Sequence, residues 1–154
     1  MNRVPLCACV TLLLCCCHVQ TMESRFFSDN PDAVERLNAL KAYSLEDQYK
    51  IFRYGNDRIH PPAMLTEPIA ARGATAVPFM LHQMELASDD ESIADNFQVL
   101  EWMAFTGTYD VRSDPHAMKV IEAAYARLKD KNLCLEMLTN IKKSDCERKY
   151  NCKF

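Results

Sequence analysis

The sequence predicts an all-α protein made of antiparallel helix pairs, and three observations support this fold class. Apolar residues recur three or four positions apart through most of the chain, and no β-branched run alternates with polar residues as a half-buried strand would. Capping residues and prolines at first helical positions mark several helix starts. Gly73 ends one apolar segment only a few residues before Pro78 opens the next, and so short a connection folds two helices into an αα-hairpin.

Composition limits the classes of function to consider. The chain has 154 residues, of which 49% are hydrophobic and 25% charged, so one domain with a sizeable core is expected. The net charge is −3, and the basic residues are interspersed among acids. Because phosphate binding needs a basic face, nucleic acid is not expected as a partner. No catalytic or nucleotide-binding motif such as G-x-S-x-G, H-E-x-x-H or a P-loop occurs, and no cofactor is predicted.

Residues 1–17 form a positive start followed by a short apolar core, a pattern typical of a secretory signal. The apolar run is too short to cross a bilayer, which takes about 20 apolar residues. The Leu-Cys-Cys-Cys stretch that ends at Cys17 resembles a bacterial lipobox, which implies lipidation at Cys17, with Cys15 and Cys16 as alternatives. The protein would then lie on the periplasmic face of a bacterial membrane, attached only through its lipid. A translation start at Met22 would instead give a cytoplasmic product.

The chain divides into four expected segments. They are a signal or lipobox-like segment at 1–17, a linker at 18–28, a helical domain at 29–143 and a polar, cysteine-containing tail at 144–154. In an oxidising compartment, Cys146 and Cys152 could close a small disulfide loop in that tail without disturbing a helix. Cys134 lies in an apolar segment and is expected to be a small buried hydrophobe.

Four helix starts carry capping signals. The Asp-Asn-Pro triplet that ends at Pro31 and the pair Asp114-Pro each join a capping residue to a proline at a first helical position. Ser44 and Asp47 fit a capping box, and Thr75 is placed to cap the helix after the central turn. Together with the helix ends, these signals predict six or seven helices.

The stretch 55–62, GNDRIHPP, is predicted to be the longest break between helices, since glycine and consecutive prolines disfavour a helix there. A helix should resume near residue 62 and run to 72, with a kink at Pro68. Val34 belongs to the first apolar stripe. The stripes as a whole predict a core that includes Leu37, Phe52, Ile69, Phe79, Leu81, Phe97, Leu100, Ile121 and Leu128.

Short echoes along the chain indicate an internal repeat. Three helix starts share an Ala followed by an apolar residue, at Ala33, Ala76 and Ala117, and two helix ends share an apolar-Ala pair followed by Gly73 or Gly107. Helix pairs at a period near 40 residues resemble HEAT-type repeats, over about residues 31–141. The resemblance implies a short stack of helix pairs that binds another protein. The alternative is an irregular helical bundle whose helix starts look alike.

The first candidate binding site is the predicted loop over residues 54–60. Asn56, Asp57, Arg58 and His60 could contact a ligand or a partner protein there. The alternative is a plain turn in which Gly, Asn and Asp supply the backbone geometry.

The second candidate is the loop 108–114. The helix starts at Ala76 and Ala117 are 41 residues apart but the helix ends at Gly73 and Gly107 only 34, so this loop is seven residues longer than its counterpart at the central turn. Tyr109, Asp110 and Arg112 are its candidate partner-binding residues, because extra loop length is often functional. Tyr109 or Val111 could instead fold inward and plug the helix pair. Asp110 with Asp114 and His116 could hold a metal, but a helix-capping role for Asp114 is preferred, and no metal site is predicted.

These observations favour a non-enzymatic protein-binding or scaffold module of the bacterial cell envelope. Two alternatives stay open: a small envelope enzyme with a site built from the 54–60 and 108–116 loops, and an immunity or accessory protein that binds one partner. The enzyme hypothesis requires the two loops to meet in one pocket. The identity of the partner does not follow from the sequence.

Overall fold

A computed structural model of the protein describes residues 20–60 and 64–143, and these residues form eight α-helices and no strand. The all-α prediction is therefore confirmed for this part of the chain, with one helix more than the six or seven expected. The helices are α1 (Met22–Asp29), α2 (Ala33–Leu40), α3 (Leu45–Arg58), α4 (Thr66–Ala70), α5 (Val77–Leu86), α6 (Asp90–Thr106), α7 (Pro115–Arg127) and α8 (Asn132–Lys142).

Some predictions fall on other residues. Lipidation of Cys17 and a disulfide between Cys146 and Cys152 lie outside the described residues. Within the described ranges, no helix is both long and apolar enough to cross a membrane.

The extra helix, α1, occupies most of the segment that was expected to be a linker. Its start is capped by Thr21, whose hydroxyl accepts a hydrogen bond from the Ser24 amide at 3.2 Å. Its two phenylalanines are buried: Phe26 packs edge-on against Tyr43, and Phe27 stacks on Tyr54. Burial of two aromatic side chains stabilises a helix that is too short to be stable alone.

Helix α3 also differs from the sequence prediction, since it passes through Gly55 and ends at Arg58. The expected break at 55–62 is therefore wrong over its first half. Glycine in a helix interior costs about 1 kcal/mol relative to alanine. Contacts on both sides outweigh that cost, because Tyr54 stacks on Phe27 and the Asn56 amide donates to the Asp95 carboxylate.

Helix starts agree with the sequence only in part. Ser44 and Asp114 cap α3 and α7 as predicted, with their side chains accepting backbone N–H bonds. The cap of α2 is Asp32 rather than the preceding Asp-Asn pair, because Asp32 accepts from two amides of the first turn. Thr75 does not cap α5; its hydroxyl donates to the Arg72 carbonyl. Helix α4 is shorter than the predicted 62–72 helix and has Pro68 in its first turn.

The core is built around α6, which packs against α4, α5 and α8, while α5 also packs against α7. Most of the predicted core residues are buried, among them Phe52, Ile69, Leu81, Phe97, Leu100, Ile121 and Leu128. Cys134 is buried as expected. Leu37 and Phe79 are only half-buried. Val34 is 65% exposed, so its place in the first stripe was wrong, because α2 turns that face to solvent.

Helices α5 and α7 lie side by side and run in the same direction, and so do α6 and α8. The Arg127 guanidinium at the end of α7 donates to the Met84 and Glu85 carbonyls at the end of α5, at 2.6 and 3.1 Å. In α6, the Asp90 carboxylate accepts from amides just before α8. Near the other end, the Glu101 carboxylate accepts from Asn140 of α8 at 2.6 Å. This arrangement brings the starts of α6 and α8 to one side of the molecule.

Candidate partner-binding groove

An open groove is lined by residues of α1, α3, α5, α6 and α8, together with the cap of α6. Its volume is about 890 Å³. Its aromatic lining residues are Tyr49, Tyr54 and Phe79, and the exposed Leu133 adds an apolar side chain. Two basic and six acidic side chains also line it: Lys50 and Arg53, with Glu23, Glu46, Asp57, Asp89, Glu91 and Asp95. The groove is therefore aromatic and mainly acidic.

One wall of the groove is fixed by a polar network between α3 and α6. The Arg53 guanidinium donates to Asp95 at 3.1 Å, and the Asn56 amide donates to the other Asp95 oxygen at 2.7 Å and to Gln98 at 3.3 Å. The Asp95 side chain is only 14% exposed. A partly buried carboxylate that accepts from both Arg53 and Asn56 holds the two helices in register.

The acids of the groove differ in their electrostatics. Burial raises the pKa of the Asp95 carboxyl, although the hydrogen bond from Asn56 and the charge of Arg53 oppose the shift. Hydrogen bonds from the Ser92 hydroxyl and amide lower the pKa of Asp89, which caps α6. The groove thus combines the Asp95 carboxylate, which joins α3 and α6, with the Asp89 carboxylate, which caps α6.

The aromatic rings of the groove are held in place by a hydrogen bond and by contacts with other rings. The Tyr49 hydroxyl accepts a hydrogen bond from the fully buried Asn96 at 3.0 Å, and burial raises the Tyr49 pKa. The Phe79 ring meets the Tyr49 ring edge-on at 5.4 Å, and Tyr54 stacks on Phe27 at 5.7 Å. These rings are preorganised, which lowers the entropy cost of binding.

Of the four candidate binding residues in the 54–60 stretch, two line the groove. They are Asn56, in the wall network, and Asp57, whose carboxylate pairs with Arg58 at 2.6 Å. Arg58 itself and His60 are exposed and do not line the groove. The residues 56–58 belong to a helix rather than to a loop, so their side chains point in different directions around its axis.

The second predicted loop borders a different and smaller cleft of about 260 Å³, lined by Tyr109, Asp114, His116 and His82 among others. The Tyr109 hydroxyl donates to the Asp114 carboxylate at 2.5 Å. This bond raises the pKa of Tyr109 to about 12, and it lowers the pKa of Asp114 together with bonds from the Ala117 and His116 amides.

The three predicted binding residues of this loop have different surroundings. Asp110 and Arg112 are exposed and do not line the cleft, whereas Tyr109 is half-buried. Val111, between them, has no exposed surface. The loop is therefore anchored at Val111 and at the bond from Tyr109 to Asp114.

The two predicted loops do not meet in one pocket, so the structure gives no support to an enzyme site built from both. Across the described parts of the chain, no three His, Cys, Asp or Glu side chains are arranged to hold a metal ion. The sequence analysis did not predict Glu23, Tyr49 or Asp95 as site residues. Their proximity depends on contacts such as Asn56 to Asp95, 39 residues apart, which local patterns do not show.

Comparisons of this chain with protein-family models, curated proteins and solved structures give no match. The class of protein is therefore defined by its fold and its site: an all-α protein with an open, acidic and aromatic groove.

Proposed function

We propose that this chain is a non-enzymatic protein-binding module of a bacterial cell envelope, with the groove as its docking surface. The groove carries this proposal. Sites for small molecules are usually concave and mostly apolar, whereas this groove is open and has eight charged side chains in its lining. Tyrosine and arginine, which often anchor protein interfaces, occur there as the half-buried Tyr54 and Arg53.

The helix packing supports a short HEAT-like array as the scaffold of this module. Helices α5 and α7 lie side by side in the same direction, as do α6 and α8, and successive pairs stack in this order in helical repeats. The ends of α4 and α6 are also adjacent, since the Thr108 hydroxyl donates to the Ala70 carbonyl at 2.9 Å. Repeat stacks bind partners along extended concave surfaces.

Placement in the envelope follows from the lipobox-like sequence that ends at Cys17. In this proposal Cys17 is lipidated and anchors the protein to the periplasmic face of the membrane. Replacing Cys17 by Ser should release the protein from membrane fractions; continued membrane association of this variant would contradict the anchor. The intact mass of the mature protein would identify the acyl chains and show whether Cys146 and Cys152 are oxidised.

The docking surface can be tested with a photo-crosslinking amino acid at two positions of α8. Leu133 lines the groove and Leu135 does not, yet they are 45% and 50% exposed in the same helix. We expect a discrete protein adduct from position 133 in envelope preparations, competed away by unlabelled protein, and none from position 135. Equal adducts at both positions, or none at 133, would refute the groove as the docking surface.

A further inference from the structure

We infer that the acidic groove receives a basic segment of its partner, with a Lys or Arg side chain placed between the aromatic rings and the carboxylates of Glu23 and Glu91. This inference rests on the proposed function and adds the chemistry of the segment that binds. It starts from the charge of the lining, where six acids face two bases.

The two bases are already paired within the chain. The Lys50 ammonium contacts Glu46 at 2.9 Å, and the Arg53 guanidinium contacts Asp95 at 3.1 Å. The positive charge of Lys50 also acts on Glu23, and that of Arg53 acts on Asp89, yet only two positive charges face six negative ones in the groove. An anionic segment would meet this excess of negative charge, so an acidic peptide or a phosphate group is disfavoured.

Two of the acids at the groove are the least engaged within the described residues. Glu23 and Glu91 make no ion pair and no side-chain hydrogen bond within the described residues, and they lie in the first turns of α1 and α6. Asp89 accepts from Ser92, and Asp57 pairs with Arg58. Glu91 is therefore the carboxylate most available to a cation from outside, followed by Glu23, which also lies within the electrostatic reach of Lys50.

The rings add a second attraction for the same kind of group. Tyr54 and Phe79 are half-buried and line the groove, whereas Tyr49 is only 6% exposed. A cation near an aromatic face gains about 0.5–1 kcal/mol at exposed sites. Contacts of this kind already occur within the described residues, with Arg36 over the Phe27 ring at 5.3 Å and Lys131 over the Tyr125 ring at 5.2 Å. Carboxylates beside aromatic rings are the surroundings that suit a lysine or arginine side chain.

A polypeptide segment suits the groove better than a bare ion does. The groove has a volume of about 890 Å³ and is open, so it has room for several side chains. No carboxylate cluster in the described chain has the arrangement of a metal site. The exposed Leu133 offers an apolar contact beside the acids, as a mixed basic and apolar segment requires.

The test uses the full-length chain and two labelled probes, a short peptide of alternating Lys and Ala and its counterpart with Gln in place of Lys. Affinity is measured by fluorescence anisotropy at low and physiological ionic strength. We expect the Lys peptide to bind more tightly than the Gln peptide. Replacing Glu91 by Lys should weaken its binding roughly three- to tenfold, because one attraction becomes a repulsion.

The matched control is Glu35→Lys. Glu35 is also an exposed first-turn acid, in α2, and does not line the groove, so this variant changes the net charge equally. We expect it to leave the affinity within about twofold, since distant surface charges are screened. Thermal unfolding by circular dichroism confirms that both variants are folded.

Equal binding of the two peptides, or equal weakening by Glu35→Lys and Glu91→Lys, would overturn the inference. A selective adduct at position 133 together with such a result would leave the groove as a docking surface for a partner of another chemistry. Loss of that adduct would instead contradict the proposed function.

Discussion

The turns that follow α4 and α6 both contain a glycine in the left-handed backbone region, yet their surroundings differ. Gly73 has a φ of +54° and Gly107 a φ of +73°, where a residue with a Cβ pays about 1–2 kcal/mol. A Cβ on Gly73 would lie 2.7 Å from the Thr108 carbonyl oxygen, whereas one on Gly107 would meet nothing within 4 Å. Conformation and space both require Gly73, and conformation alone requires Gly107.

The difference arises because the second turn covers the first. After Gly107, the Thr108 hydroxyl donates to the Ala70 carbonyl, and Val111 enters the core. Packing therefore explains part of the extra length of the 108–114 loop, which weakens the argument that this length marks a docking site. Two glycines with the same role in the sequence can thus differ in how much the fold depends on them.

The largest expected effect is that of Gly73→Ala. Backbone strain and the close approach to the Thr108 carbonyl add up, and we expect a loss of about 3–5 kcal/mol in the free energy of unfolding. Urea unfolding followed by circular dichroism would measure it. A loss equal to that of Gly107→Ala would show that the two turns can separate at little cost and would break the comparison.

Val111→Ala comes next. Because Val111 is fully buried, the lost methyl groups and the resulting cavity should cost about 2–3 kcal/mol of unfolding free energy. The control is Val34→Ala, the same change at a valine that is 65% exposed, where we expect less than about 0.5 kcal/mol. Similar losses at the two valines would show that the second turn does not anchor the helix pair.

Gly107→Ala should lower the free energy of unfolding by about 1–2 kcal/mol, because alanine is strained in the left-handed conformation even where its Cβ meets no other atom. Gly107→Asn should cost less, since asparagine tolerates this region better. Both are measured by the same urea unfolding. If Asn at 107 destabilises the protein as much as Ala does, backbone strain is not the cause, and the contrast with Gly73 needs another explanation.

Much of the fold follows from local sequence patterns. Ser44 and Asp114 cap helices as predicted, and the predicted core residues Phe97 and Leu100 are buried in α6. Such features depend on residues within one or two turns of each other, so a single sequence contains them. Gly107 follows the end of α6 as predicted, whereas α4 ends three residues before Gly73, which lies in the short turn before α5.

The groove could not be predicted in the same way. Helix α1 is short, and its stability depends on contacts of Phe26 and Phe27 with Tyr43 and Tyr54, which lie in later parts of the chain. The residues 56–58 were taken as a loop because Gly55 disfavours a helix, and the bond from Asn56 to Asp95 outweighs that preference. Tertiary contacts between distant residues decide both features.

The smallest effects concern the exposed side of the second turn. Tyr109→Phe removes the hydroxyl that donates to Asp114 at 2.5 Å, and we expect a loss of about 0.5–1.5 kcal/mol in unfolding free energy. Arg112 is exposed, so Arg112→Ala should stay within about 0.5 kcal/mol. Equal effects of the two changes would show that Tyr109 does not anchor the turn.

The pH dependence makes this last prediction more specific. Folding lowers the pKa of Asp114 below 3.8, so its stabilisation is present above pH 3.8 and is lost as the pH falls through the folded-state value. Folding raises the pKa of Tyr109 from 10.0 to about 12, so that contribution is present below pH 10 and is lost as the pH rises towards 12. The stability difference between the native protein and Tyr109→Phe should therefore be constant near neutral pH and shrink below pH 3.8 and above pH 10. Thermal unfolding across this range measures it, with Arg112→Ala as the variant expected to show no such change. A difference that persists unchanged in acid would mean that the Asp114 carboxylate is not the partner that holds Tyr109 in the turn.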